Sequence, residues 1–214
     1  MGHVLDENLT WLYHQNHVSK KLVHANFALS RCKNKLPPEV LKKIYTSLFE
    51  SHLHFGAPIW GAAKQSSLEN IIKLQKKAIR HISNSKYNSH TSIIFKKLNL
   101  LKFNDIIKYH QCSLIRQYKN NFLPSSFVGM FSDVTSDNMR TRDDDYNILL
   151  PVINLPALSY FPGIQLIQAW NSLPITIKSE PKISTFQKEL KSHLTSSYET
   201  ECLLLNCQSC DPTV

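Results

Sequence analysis

Three cysteines and a histidine near the end of the chain are the first residues whose types and spacing suggest chemistry. Cys202, Cys207 and Cys210 stand in a C-x4-C-x2-C order, with His193 nine residues upstream. Three thiolates and one imidazole make a tetrahedral zinc set. Against zinc, Leu203 to Leu205 lie between the first two cysteines and the cluster sits on a terminal tail. Free thiols on a frayed end are the alternative. Asp143, Asp144 and Asp145 resemble a magnesium-binding carboxylate set, but two-metal chemistry needs acids converging from separate elements. This run follows Arg140-Thr141-Arg142 in a polar stretch and reads as a solvated turn with local charge pairing. His14 and His17 share a helix face, whereas His52 and His54 diverge. No acid or cysteine completes either pair, so all four read as surface histidines. The five glycines supply no phosphate-cradling loop, dinucleotide fingerprint or G-x-S-x-G elbow. No catalytic set assembles, and neither a cofactor nor a small-molecule substrate is expected.

The elements that must position any site are mostly helices. A chain of 214 residues that is 42% hydrophobic, with few glycines, is long enough to bury a helical core. Val4 to Trp11 suggests a short strand ending in a turn. From Val18 to Lys33, apolar Val18, Leu22, Ala25, Leu29 and Cys32 recur at helical spacing. Pro37 and Pro38 open a second helix with Val40, Leu41, Ile44, Leu48 and Leu53 on its buried stripe. "HFGAPIWGAA" then breaks the pattern. Ser66 and Glu69 have capping-box spacing at the head of the next helix, whose core face is Leu68, Ile71, Ile72, Ile79 and Ile82. Helices near Thr91 to Leu98 and Asn104 to Asn120 follow. Proline-broken "YNILLPVINLPALSY" suggests two short strands, "GIQLIQAWNSLP" a short helix, and "STFQKELKSHLTSSY" a last one carrying Phe186, Leu190 and Leu194.

The fold expected is mainly α: a helical bundle with a short N-terminal strand and a smaller mixed α/β or irregular C-terminal subdomain. The divisions are 1–121, a polar linker 122–145, a subdomain 146–200 and a Cys-containing tail 201–214. Five cysteines, an odd number, and no secretory leader point to reduced thiols in an intracellular setting, nuclear or cytoplasmic. The uncharged run from Tyr146 to Ile177 holds Pro151, Pro156, Pro162 and Pro174, so it is no spanning helix and no membrane partner is expected.

Charge is where the chain is unusual. The net charge is +9. Between Lys64 and Lys119 there are twelve Lys or Arg against only Glu69 and Asp105. Lys73, Lys76, Lys77 and Arg80 fall at i, i+3, i+4 and i+7, on one helix face. Concentrated positive charge of this kind is the footprint of an anionic partner.

Several phrases, in order, resemble the reverse transcriptases of jockey-like non-LTR (LINE) retrotransposons, in the part that follows the palm. "GHVLDENLTWLYH" is similar to their Leu-Gly strand and Leu-Thr-Trp turn. "LPPEVLKKIYTSLFESHLHFGAPIWGAA" is similar to the helix leading into an aromatic-Gly-x-x-x-Trp-Gly phrase, here Phe55-Gly56 and Trp60-Gly61. "LQKKAIRHI" resembles a Leu-Gln-Lys-x-x-Ile-Arg helix, "NMRTR" a Thr-Arg phrase, "AWNSLP" a Trp-Asn-x-Leu-Pro phrase, and "FQKELKSHL" the last helix. The succession covers nearly the whole chain.

The resemblance implies a piece of an RNA-directed DNA polymerase encoded by a transposable element. The palm aspartates, and the Mg2+ they hold in that family, lie upstream of the part resembled, so the chain is expected to be no enzyme on its own. It also implies sequence-independent binding of RNA or a DNA/RNA hybrid. First candidates for the sugar-phosphate backbone are Lys73, Lys76, Lys77 and Arg80, then Lys96, Lys97 and Lys102, with Arg140 and Arg142 weakened by the neighbouring aspartates. Trp60 and Trp170 are either base-stacking or core residues, and their apolar surroundings favour core. The alternatives are a host-retained helical module for protein contact and a translated relic without function.

Overall fold

The computed structural model describes residues 2–63, 65–127, 129–132, 146–151 and 161–199. The described residues are mainly helical and divide into two compact units, one holding residues up to Ile106 together with Leu194 onward, the other Ile107–His193. The boundary expected near 121–145 therefore falls inside the second unit, and residues 133–145 lie outside the described residues.

Helix α1 spans Leu12–Cys32, six residues longer at its start than the apolar spacing predicts. The reason lies upstream. Asp6 accepts the Thr10 and Trp11 amides, both at 2.8 Å, and the Thr10 hydroxyl at 3.1 Å. Those bonds lower the Asp6 carboxyl below its usual range, the Thr10 amide contributing most. They fold residues 6–11 into a turn, so the strand expected over Val4–Trp11 is not formed. An aspartate that hydrogen-bonds ahead in its own backbone outcompetes extended pairing here.

The second helical stretch comprises α2 (Pro38–Tyr45), a π-helical turn over Thr46–Glu50, and α3 (Ser51–His54). Its buried apolar residues are Leu41, Tyr45, Phe49 and Leu53, spaced by four. In an uninterrupted α-helix of 3.6 residues per turn such a stripe drifts around the axis, and the wider i→i+5 turn brings it back. Val40 and Leu48, expected on that stripe, instead face solvent. After Phe55-Gly56 comes α4 (Ala57–Trp60). Gly56 has φ +65°, and a Cβ there would stand 2.1 Å from the His3 ring. Gly56→Ala is expected to cost about 1–2 kcal/mol, mainly from the left-handed backbone, since the exposed His3 side chain can swing away. Urea unfolding of the variant measures it.

Helix α5 (Gln65–Ile82) packs along α1. Leu68, Ile71, Ala78, Ile79 and Ile82 face Val18, Leu22, Ala25 and Leu29 in one buried core. The Asn26 amide donates to the Leu74 carbonyl at 3.0 Å and the Asn70 amide to the Ser19 hydroxyl at 3.3 Å. Because α5 already begins at Gln65, Ser66 lies within its first turn rather than capping it, and Glu69 pairs with Lys73 at 3.3 Å. Helices α6 (Thr91–Leu98) and α7 (Phe103–Lys119) follow close to their expected bounds.

The second unit holds most of α7, then α8 (Pro162–Asn171), α9 (Ile175–Lys178) and most of α10 (Ile183–Ser196). Trp170 and Phe186 are fully buried, with the Arg116 guanidinium 5.2 and 5.0 Å from their ring centroids. Arg116 also donates to the Lys178 carbonyl. Trp170 Nε1 donates to the Tyr146 carbonyl at 2.7 Å, while the Asn171 amide group accepts the Ile148 N–H at 3.0 Å and donates to its carbonyl at 2.9 Å. The Trp-Asn dipeptide thus ties residues 146–148 to α8. Residues 146–151 form no strand, and 152–160 lie outside the described residues. Burial pushes the Cys112 thiol up to about 12, which makes it an inert core residue.

Candidate nucleic-acid interface

The geometry of α5 sorts the predicted cations into two groups. Once its apolar face is spent on α1, residues 73, 76 and 77 must face outward. Lys73, Lys76 and Lys77 are all exposed, and Glu69 is the sole carboxylate salt-bridged to any of them among the described residues. Lys76 also lines a cleft of about 450 Å³ whose walls include His90 and Ser92 at the start of α6 and Lys102 and Asn104 at the start of α7. Lys97 is exposed on α6.

The other predicted cations hold the fold. Arg80 donates from Nε to the Ser89 carbonyl at 3.0 Å, with its guanidinium 5.9 Å from the Tyr87 ring centroid, and so fixes the turn after α5. Lys96 donates to the Ser196 and Tyr198 carbonyls at 3.3 and 2.8 Å, a cation satisfying the C-terminal end of α10. Lys102 donates to Ser92 Oγ at 2.9 Å and lies 4.1 Å from the Tyr198 ring centroid. The Tyr198 hydroxyl accepts the Lys102 amide at 3.0 Å and donates to Asp105. Burial, with the Asp105 hydrogen bond behind it, raises that phenol well above its ordinary value. Lys102 is therefore braced at the cleft wall rather than free. Arg140 and Arg142 lie outside the described residues.

Sequence reasoning missed the residue that supports the cleft floor. Gln75, only 1% exposed, donates to the Tyr45 hydroxyl and the Leu101 carbonyl, both at 3.0 Å, and accepts the Phe103 N–H at 2.8 Å. Its signal was available: position 75 falls between Ile71 and Ile79 on the apolar stripe, where a polar side chain needs buried partners.

The remaining candidates separate plainly. Trp60 and Trp170 are fully buried, and the Trp60 indole donates to the Phe55 carbonyl at 2.7 Å, so neither ring is open to a base. His17 is exposed, and His52 and His54 are half-buried, His54 lying 3.8 Å from Glu50. His14, expected at the surface, is buried at 2% exposure, because the early start of α1 turns it toward Trp60, 5.6 Å away between ring centroids. His193 lies on α10, but Cys202, Cys207, Cys210 and Asp143 to Asp145 fall outside the described residues. Among the described residues, no group of three His, Cys, Asp or Glu is placed to hold a metal ion, and no helix is long and apolar enough to cross a membrane. Comparison with family models, with curated proteins and with solved structures gave no match to this chain.

Proposed function

We propose that the outer face of α5 and the adjoining cleft grip the sugar-phosphate backbone of RNA or a DNA/RNA hybrid without reading sequence. This is the role the resemblance to a post-palm reverse transcriptase region implies, with catalysis and Mg2+ belonging to a palm and a mixed subdomain following the bundle. The observation that carries the reading is the exposure of Lys73, Lys76 and Lys77 together on one helix face, with Lys76 at the cleft mouth. Backbone phosphates recur regularly, and flexible ammonium groups on a rigid helix meet them without base contacts. Lys97, exposed on α6, is a further candidate contact; Arg80, Lys96 and Lys102 hold the scaffold.

The test is binding to a primer–template duplex and to single-stranded RNA across a salt series. Each phosphate neutralised contributes about 0.9 to the slope of log affinity against log salt for a duplex. Lys73→Gln, Lys76→Gln and Lys77→Gln combined are expected to lower affinity at least tenfold at low salt and to flatten the slope by about 2–3. Arg80 is left intact because its bond to the Ser89 carbonyl holds the turn after α5. A folded protein that binds neither nucleic acid at low salt, or a variant with an unchanged slope, would overturn the reading.

A specific observation favours the contact module as second reading. Val23 and Phe27 on α1 are 51% and 66% exposed, and Leu9, Leu12 and Tyr13 are exposed near its N-terminal end. Nucleic-acid binding that is absent, combined with concentration-dependent association lost in Phe27→Glu, would favour that reading.

A further inference from the structure

His14 sits where the N-terminal residues meet the bundle. Gly2 to Leu5 and Glu7 to Thr10 are exposed, so this arm has few anchors. The His3 ring stacks on Phe55 at 4.7 Å and 21°. The Val4 amide donates to His14 Nδ1 at 3.3 Å. The half-buried Trp11 ring lies edge-on to His3 and His14 at 6.1 and 6.2 Å. Because Nδ1 accepts, the neutral ring carries its proton on Nε2, which is buried and has no hydrogen-bond partner.

We propose that residues 2–11 form an acid-released arm, held closed by neutral His14 and opened when a proton adds to Nδ1. That proton removes the acceptor for Val4 and sets one N–H against another. It also places a charge on a ring packed against Trp60 and Trp11, with no acceptor for either nitrogen.

The groups around His14 do not offset that charge. From the arm, His3 lies 5.1 Å away between ring centroids, and the Asp6 carboxylate is occupied by Thr10 and Trp11. From its own helix comes His17, and from α4 only the Trp60 ring. Further along, Glu50 faces His54, and His52 is coupled to Lys21 and His17. Burial first, then His3 and His17, hold the His14 value below its ordinary one.

The sign follows. With the arm open, His14 titrates near its ordinary value of about 6.5. The folded value is depressed, so the closed arm is favoured above about pH 6.5 and loses its advantage as pH falls through the lowered value. Each pH unit in that window cuts the closing constant by up to tenfold. Opening uncovers Phe55 and the His14 ring, the two bundle rings that His3 lies against. This is a pH-gated change that the nucleic-acid reading does not require.

Hydrogen exchange of residues 2–11 between pH 8 and pH 5, referred to exchange of the unfolded chain at each pH, tests it. In the wild type, protection of the arm, read at the Val4 amide, should fall on acidification by up to tenfold for each pH unit of the window, while the core of α5 keeps its protection. His14→Asn keeps an acceptor near the Nδ1 position but does not titrate, and its arm should stay protected throughout. Unchanged protection in the wild type, or the same acid loss in His14→Asn, would overturn the proposal. A second readout needs no variant: in an NMR titration the His14 ring and the Val4 amide should shift with one midpoint, and separate midpoints would also overturn it.

Discussion

Trp60→Ala is expected to lower the unfolding free energy by about 4 kcal/mol, the middle of the range for removing a buried aromatic. The side chain is fully buried and stacks on Phe103 with centroids 5.2 Å apart, while its edge meets His14. Its indole N–H satisfies the Phe55 carbonyl beside Gly56, where the backbone reverses into the left-handed region. Alanine leaves a cavity between α1, α4 and α7 and an unpaired carbonyl beside the left-handed Gly56. Trp60→Phe separates the two contributions. It keeps much of the packing and loses the hydrogen bond with part of the ring volume, so it should cost clearly less than alanine, about 2 kcal/mol. Urea denaturation of both variants measures this, and equal losses would mean that the hydrogen bond, not the packing, dominates.

Gln75→Leu should destabilise by about 3 kcal/mol although it replaces a polar core residue with an apolar one of similar size. One amide group serves the Tyr45 hydroxyl, the Leu101 carbonyl and the Phe103 N–H. Leucine leaves two buried backbone groups without partners, each costing about 1–3 kcal/mol, offset in part by the apolar burial gained. Tyr45, whose phenol burial raises well above its ordinary value, stays neutral and also loses its donor. The loss should appear as a lower denaturation midpoint at unchanged m-value. A neutral or stabilising outcome would mean that water replaces the amide.

Long periodic segments were legible from the residues themselves. The buried face of α5 and the bounds of α6 followed from apolar spacing, because packing on α1 rewards that spacing directly. What escaped was local chemistry with no period. Asp6 looks like any exposed acid until its carboxylate is seen to take two backbone amides four and five residues ahead. The stripe Leu41, Tyr45, Phe49 and Leu53 violates the helical period and reads correctly only with a π-helical turn inside it. The cations show the same limit. Spacing placed Lys73, Lys76, Lys77 and Arg80 on one face, but it did not reveal that Arg80 would reach a carbonyl nine residues on. Nor did it show that Lys96 would meet a helix end a hundred residues away.

That distant bond bears on how the chain is made. The described residues up to Ile106 form one unit with Leu194 to Glu199, and Tyr198 supplies the ring against Phe95 and the hydroxyl between Lys102 and Asp105. The intervening residues 107–193 must be synthesised first. At about 5–20 residues per second, that interval lasts on the order of 5–20 seconds. Throughout it the nascent bundle carries an uncovered apolar edge at Phe95 and an unclosed Lys102 wall. The second unit can form while the first waits, so of the two units the one begun earlier is completed later. Ribosome-bound chains stalled before residue 194 therefore expose a surface for chaperones that the completed protein hides.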